Sequence, residues 1–366
     1  MSTTLFDPIT LRSLTIPNRI WMADMCQAGA ASDGDHTGVP DDRHFAHLAA
    51  RATGGTGLVL SKATAISPES RLNPYDLGIW NDTQVEAFRR ITDFLKSQGT
   101  VPGIQLAAAR TDAARGSWMD RKFPVGPGKR YGWAPGGTGT VPYGTGSTAV
   151  DELDTEEIGR TVAAFADAAW RALDAGFQVA EIHGAHGYLV NQFLFPHSNH
   201  RTDGYGGDFA GRTRFALEVV EAVRAVWPQD LPVFFRMASA EGPTETAGDD
   251  PEAWTADDTV RLAKELQARG VDLMDAFADG SSAPVAKRVR NQTDMPVAER
   301  VRNETGMPVA AVGPLTSPAR AQALVRSGGA DAVLLGQELL RDPYWALHAA
   351  SALGGKVNTP VRHHAA

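Results

Sequence analysis

The stretch DTEEIGRTVAAFADAAWRALDAGFQVAEIH, residues 154–183, joins a helix pattern directly to a strand pattern. Its first part, residues 154–176, carries apolar residues at helical spacing and ends on Gly176, a frequent helix terminator. Its second part, residues 177–183, is a short and mostly apolar run without strict alternation. Such runs are typical of parallel strands that are covered on both faces. The stretch therefore predicts one helix–strand unit of an α/β fold.

The same unit recurs along the chain. Seven further apolar runs predict buried strands at residues 19–24, 57–63, 103–107, 232–237, 271–277, 308–313 and 331–336. Further helix patterns lie at residues 82–99 (with Asp82 as the expected N-cap), 212–227 and 255–270. Eight strands alternating with about eight helices predict a single (β/α)8 TIM barrel over residues 1–366. The alternative is an open doubly wound sheet, but MCQAGA after the first strand lacks the Gly-rich turn of such sheets.

The composition excludes several classes of partner. The hydrophobic content of 43% and charged content of 21% are ordinary for a soluble globular protein. A net charge of -8 without a basic block argues against nucleic acid and anionic membranes as partners. No apolar run approaches the roughly 18 residues of a membrane span, and the N-terminus lacks an apolar signal segment. One cysteine, Cys26, permits no intrachain disulfide, so we expect a cytoplasmic protein.

Polar residues lie at the predicted strand ends, where the active site of a TIM barrel is found. They are Asp24 to Cys26, Lys62, Gln105, His183 with His186, Arg236, Asp275, Gly313 and Gly336. His183 and His186 are three residues apart and Tyr188 follows them, which favours a catalytic or oxyanion-binding site. A scaffold feature without chemistry is the alternative. A metal site is disfavoured, because zinc takes three or four ligands and the sequence offers no evident third.

Two segments interrupt the regular alternation. Residues 108–150 follow the third strand, are rich in Gly and Pro, and predict a lid-like excursion over the barrel mouth. Residues 284–307 form a tandem repeat of two 12-residue copies with nine identical positions. Pro296 opens the second copy and would break a continuous helix. We therefore expect a short helix or loop followed by a second helix.

The motif EIHGAHGYLVNQFLFPHSNHRTDGYGG (181–207), followed by RTRF, resembles the old yellow enzyme family, flavin-dependent ene-reductases on a (β/α)8 barrel. LFDPITLRSLTIPNRI, DLGIWNDTQVEAFRRITDF, GIQLA and LLRDPYW extend the resemblance to the bacterial branch over residues 4–350. It implies that His183 and His186 hydrogen-bond the carbonyl or nitro oxygen of an unsaturated substrate, with Tyr188 beside them. It also implies an FMN site. The corresponding positions are Cys26, Ala63, Gln105, Arg236, Gly313, Gly336 and Gln337.

The departures from the family pattern concentrate on that cofactor site. Gln105 and Arg236 match residues that hold the pyrimidine edge of FMN, but Asp24 replaces a proline and Gln337 replaces the phosphate-binding arginine. An arginine–phosphate hydrogen bond contributes about 1.5–3 kcal/mol. We therefore expect a degenerate flavin site with no tightly bound cofactor.

These departures lead to a functional expectation. The barrel is expected to catalyse a non-redox reaction in the vacated flavin slot, as an isomerase or cyclase acting on a conjugated-carbonyl, natural-product-type substrate. His183, His186, Tyr188 and Asp24 would be its catalytic residues. The first alternative is an FMN- and NAD(P)H-dependent ene-reductase, and the second is a non-catalytic small-molecule-binding barrel. The resemblance also implies a possible homo-oligomer, a dimer or tetramer.

Overall fold

The computed structural model describes residues 3–25, 29–109, 114–115, 124–125, 136–138, 151–238, 253–277, 295–313 and 315–358. Cys26, most of the predicted lid at 108–150 and the first copy of the tandem repeat lie outside these ranges, so those predictions stay untested. Within the described ranges, no helix combines the length and the apolar character needed to cross a membrane.

Eight parallel strands close into a barrel, as the sequence predicted. A hairpin of β1 (Ile9–Leu11) and β2 (Leu14–Ile16) precedes them. In order around the barrel, the eight strands are β3 (Ile20–Met22), β4 (Leu58–Ala65), β5 (Val101–Ala107), β10 (Val179–Gly184), β11 (Val233–Ala238), β12 (Leu273–Phe277), β13 (Val309–Val312) and β14 (Ala332–Leu335). Pairing of β14 with β3 completes the circle. Each predicted apolar run overlaps one of these strands.

The helices follow the barrel strands in chain order, and α9 and α10 come after the last strand. They are α1 (Asp42–Thr53), α2 (Asp82–Ser97), α3 (Thr155–Asp174), α4 (Leu189–Leu194), α5 (Phe209–Val226), α6 (Ala256–Ala268), α7 (Met295–Thr305), α8 (Pro318–Ser327), α9 (Gln337–Arg341) and α10 (Trp345–Leu353). Between β5 and α3, the described residues include the two-residue strands β6 (Ala114–Arg115), β7 (Pro124–Val125), β8 (Gly136–Gly137) and β9 (Asp151–Glu152).

The helix ends follow ordinary capping chemistry, with one correction. The N-cap of α2 is Asn81 and not Asp82, because the Asn81 side chain accepts from the backbone N–H of Gln84 and the Gln84 side chain accepts from that of Asn81. The second copy of the tandem repeat forms α7, as predicted, with Pro296 in its first turn, where proline is tolerated.

The barrel interior has two layers of different character. The layer near the strand N-termini is apolar, and the β1–β2 hairpin packs against it. There Trp21 of β3 stacks on Phe234 of β11, with ring centroids 5.7 Å apart. Since four strand steps separate β3 from β11 in either direction, this contact crosses the barrel.

The layer above is polar and positions the site. Strand register places Gln105 beside Glu181 on one side of the interior. On the next strands it places His183 beside Arg236, and Arg236 beside Asp275. All five are buried.

Candidate functional site

The two histidines of the motif lie in direct contact at the end of β10. His183 Nε2 and His186 Nδ1 are 3.1 Å apart, within hydrogen-bond distance. His183 is buried on the strand, whereas His186 is half-buried in the following loop. The sequence correctly predicted that these side chains converge at one strand end. Two imidazole nitrogens aimed at one point suit the binding of a single oxygen atom.

The backbone of His186 helps to hold this arrangement. Its φ of 60° lies in the left-handed region, which non-glycine residues seldom adopt. Gly187 follows with a φ of 70°, and its N–H donates to the Asn191 side chain. Strained backbone of this kind costs on the order of 1–3 kcal/mol and concentrates at functional sites. The strain here accompanies the turn that directs the His186 ring toward His183.

Burial controls the charge of His183. The pKa of His183 is lowered well below its ordinary value by burial, and further by the neighbouring His186. A neutral imidazole has one N–H and one bare nitrogen. His183 is therefore a neutral hydrogen-bonding group near pH 7 and not a cation.

Tyr188 completes the cluster at the loop. Its ring meets the His183 ring edge to face, with centroids 4.7 Å apart. On its other side Tyr188 packs against the small side chains of Ala63, Ala107 and Ala109. Ala63, which the sequence assigned to the cofactor site, thus lies in the same cluster as Tyr188.

Arg236 is surrounded by carboxylates inside the barrel. Its guanidinium contacts the Asp24 carboxylate, and its Nε lies 3.4 Å from Asp275 Oδ2. The side chains are 4% (Arg236), 5% (Asp24) and 0% (Asp275) exposed. The sequence placed Arg236 and Asp24 at the same mouth but assigned them separate roles. The structure brings them into one buried ion pair.

A third carboxylate lies in the same layer. Gln105 Nε2 donates to Glu181 Oε1 at 2.8 Å, and both side chains are fully buried. Burial raises the pKa of Glu181 well above its ordinary value, and the charge of Asp275 raises it further. Burial also raises the pKa of Asp275 to about 6, with Arg236 opposing that rise. Near pH 6, the layer therefore carries fewer than the three negative charges that Asp24, Asp275 and Glu181 would give if all were ionised.

Sequence reasoning did not assign Glu181 to the site and named Asp275 only as a strand-end residue. A signal was present, because each is an acidic residue within an apolar strand pattern. Charged residues are seldom fully buried unless they are paired or functional.

Lys62 has a structural position. The sequence placed it among the residues around the mouth, but its Nζ lies 3.0 Å from Asp76 Oδ1 in a buried ion pair. Asp76 also accepts from the backbone N–H groups of Leu72 and Asn73. Lys62 therefore anchors the loop that follows β4.

The remaining predicted positions lie at the ends of later strands. Gly313 follows β13, Gly336 is the N-cap of α9, and Gln337 is the exposed first residue of that helix. Among the described residues, no group of three or more His, Cys, Asp or Glu side chains is placed to hold a metal ion.

Known proteins resemble this chain over nearly its whole length. The sequence profile of the NADH:flavin oxidoreductase / NADH oxidase family matches residues 4–354. The NADPH dehydrogenase of Geobacillus sp. (strain WCH70) is 38% identical over 363 residues, covering 99% of this chain and 98% of that protein. The NADPH dehydrogenase of Bacillus subtilis (strain 168) is 36% identical over 374 residues, covering 99% of both.

Solved structures agree in fold. Morphinone reductase in complex with tetrahydroNAD superposes with a TM-score of 0.71 at 28% identity, covering 98% of this chain and 93% of that chain. An old yellow enzyme homologue from Zymomonas mobilis gives a TM-score of 0.72 at 27% identity, covering 98% and 95%.

These similarities overturn two expectations from the sequence. The expected non-redox isomerase or cyclase is wrong, because the matching family is one of flavin oxidoreductases and the relatives are NADPH dehydrogenases. The expected lack of a tightly bound cofactor is wrong for the same reason. The sequence argument gave decisive weight to lost side chains such as the arginine replaced by Gln337. Backbone N–H groups also bind phosphate, and the side chains of Gln105 and Arg236 remain in the barrel.

Proposed function

The chain belongs to the NADH:flavin oxidoreductase / NADH oxidase family, and on that premise we propose that it is an FMN- and NAD(P)H-dependent ene-reductase acting on activated C=C bonds. The observation that carries the proposal is the contact between His183 Nε2 and His186 Nδ1, 3.1 Å apart at the barrel mouth. The small-molecule substrate, a cytoplasmic location and a homodimer or homotetramer belong to the same proposal.

The buried polar layer suits the pyrimidine edge of FMN. That edge alternates carbonyl oxygens with an imide N–H, so it needs both donors and an acceptor. Gln105 Oε1 is buried and accepts no hydrogen bond from the described residues. Arg236 supplies a buried cationic donor. An unused buried acceptor costs about 1–3 kcal/mol, so a bound imide N–H at Gln105 would recover that energy.

The rest of the cofactor site differs from the family pattern. Gly313 and Gly336 would offer backbone N–H groups to the phosphate, while Gln337 offers a neutral amide where the family has arginine. Ala63 would leave room beside the ring system, and Cys26 is assigned to the same site from the sequence alone. We propose an FMN site that is altered in its contacts, with the phosphate held more weakly than in relatives that keep the arginine.

FMN, when bound, would supply the hydride that reduces the substrate and would recover it from NAD(P)H. The protein's part is to bind and polarise. His183 and His186 would each donate an N–H to the carbonyl or nitro oxygen of the substrate. These hydrogen bonds strengthen as negative charge develops on that oxygen, so they stabilise the transition state more than the bound substrate.

Tyr188 is the proposed proton source, since its ring lies against His183 at the same mouth. Asp24 contacts Arg236, so its proposed contribution is electrostatic and not a proton transfer. Neutral His183 suits this scheme, because a neutral imidazole keeps one N–H that it can donate to the substrate oxygen.

The test is direct. The protein is purified, its flavin content is measured by absorbance after dialysis, and oxidation of NADPH is followed anaerobically with and without 2-cyclohexenone. We expect one FMN per chain and NADPH oxidation that depends on the enone, with cyclohexanone as the product by gas chromatography. A protein that neither binds added FMN nor consumes NADPH with any enone or nitroalkene would refute the proposed function.

A further inference from the structure

The contact between Asp24 and Arg236 crosses the barrel. Asp24 follows β3, and Arg236 lies on β11, which is four strand steps away in either direction. The stacked rings of Trp21 and Phe234, on the same two strands, lie one layer below and confirm that these strands face each other. The carboxylate and the guanidinium therefore meet inside the barrel.

This contact places a negative charge where the proposed cofactor needs a positive one. Asp275 already lies on the other side of Arg236, with its Oδ2 3.4 Å from Nε. With Asp24 added, two carboxylates share a single buried guanidinium. Charges near the pyrimidine edge tune the electronics of a flavin, and in a buried layer they act with little screening.

We propose that Asp24 is an internal counter-ion of Arg236 that weakens FMN binding and disfavours the reduced cofactor relative to the oxidised one. The inference rests on the proposed function and specifies how this chain adjusts the cofactor's reduction potential. Reduction adds electron density at the pyrimidine edge, which Arg236 stabilises. Asp24 offsets that stabilisation by holding its own charge against the guanidinium. Asp24 is thus a positioning and charge-balancing residue and not one that touches the reacting carbon.

Asp24→Asn tests the inference because it keeps the shape and removes the charge. Two quantities are measured at a single pH, the Kd of the apoprotein for oxidised FMN by fluorescence quenching and the midpoint potential of bound FMN by dye equilibration. We expect at least threefold tighter binding of oxidised FMN. We also expect at least a tenfold gain in the preference for reduced over oxidised FMN, which equals a rise of about 30 mV for a two-electron couple.

Asp42→Asn is the matched control. It removes one carboxylate charge from the exposed start of α1, where Asp42 pairs with Arg90, and should leave both quantities unchanged. Asp24→Ser serves as a second variant if Asp24→Asn does not fold, with folding checked by thermal unfolding. In an Arg236→Gln background, the effect of Asp24→Asn on the potential should fall at least threefold, because a carboxylate buried without its cation tends to take up a proton, and the substitution then removes less charge.

The outcomes separate the two proposals. If the wild-type protein binds FMN and reduces an enone, but Asp24→Asn changes the potential no more than Asp42→Asn does, the proposed function stands and the counter-ion role is refuted. An equal effect of Asp24→Asn with and without Arg236 would also refute that role. A wild-type protein that binds no FMN would refute both.

Discussion

His183 Nε2 and His186 Nδ1 lie 3.1 Å apart, a separation at which only one of the two nitrogens can carry the shared proton. A substrate oxygen between them requires an N–H from each ring. In the proposed function, substrate binding therefore replaces the hydrogen bond between the two rings, and each nitrogen then carries a proton that it donates to the substrate oxygen. In the proposed function the pair binds an oxygen acceptor, so its removal should affect turnover far more than folding.

His183→Ala and His186→Ala should each lower kcat/KM for an enone by about 10²–10³, the usual cost of removing one oxyanion donor. Steady-state oxidation of NADPH measures the loss, and circular dichroism checks the fold. His348→Ala is the control, because that histidine is exposed and pairs with Asp342 away from the mouth. Losses below threefold in both variants would show that substrate polarisation does not depend on this pair.

The protonation of His183 gives a pH prediction. Since its pKa lies well below its ordinary value, the ring should stay neutral as the pH falls from 8 to 6. A depressed histidine pKa contributes stability that is present above the ordinary value of about 6.5 and is lost as the pH falls through the folded-state value. The ring proton shifts of His183, assigned by comparison with His183→Ala, should show no titration near pH 6.5 in the folded protein. A midpoint at that pH would contradict a neutral His183.

The raised pKa of Asp275 gives the opposite dependence of stability on pH. Burial raises its pKa to about 6, so its contribution to stability is fully present below about pH 4 and is lost as the pH rises through 6. Two pKa units correspond to ~3 kcal/mol. Between pH 4 and 7, the free energy of unfolding should therefore fall more steeply in the wild-type protein than in Asp275→Asn. Urea denaturation at several pH values measures both slopes, and parallel slopes would contradict the raised pKa.

Lys62→Met should lower the free energy of unfolding by about 3 kcal/mol, because it leaves the Asp76 carboxylate buried without its cation. Arg160→Met breaks the exposed pair with Glu156 and should change it by less than about 1 kcal/mol. Urea denaturation of both variants makes the comparison. Equal effects would show that Lys62 does not anchor the loop after β4.

The fold was predictable because hydrophobic periodicity reports burial directly. The strands Leu58–Ala65 and Val179–Gly184 are buried along their whole length, because the barrel covers both of their faces. The convergence of His183 and His186 followed from their place at a strand end. The Asp24–Arg236 contact was not predictable. It depends on the strand order around the barrel and on how far the two side chains reach, and the spacing of residues along the chain gives neither of these.

The cofactor expectation failed for an energetic reason. Sequence comparison shows which side chains are lost, such as the arginine replaced by Gln337, but it does not show what backbone groups contribute. Nor does sequence comparison reveal an unused acceptor such as Gln105 Oε1. The Gln105 amide nitrogen donates to Glu181, and its oxygen accepts no hydrogen bond from the described residues. The sequence argument therefore overestimated how much FMN affinity is lost when a few contacts are replaced.

Gln337→Arg should restore the missing phosphate contact. Gln337 is exposed at the start of α9, so a longer cationic side chain fits there without repacking. A charge-assisted hydrogen bond contributes about 1.5–3 kcal/mol, and each 1.4 kcal/mol is a factor of ten. The Kd for FMN should therefore fall by at least tenfold, measured by fluorescence quenching of the apoprotein.

Riboflavin lacks the phosphate, so its Kd should not change. Gln267→Arg, which adds the same charge at an exposed position on α6, should leave the FMN affinity as it is. If Gln337→Arg tightens riboflavin as much as FMN, position 337 does not face the phosphate, and the weak point of the cofactor site lies at the pyrimidine edge, where Asp24 meets Arg236.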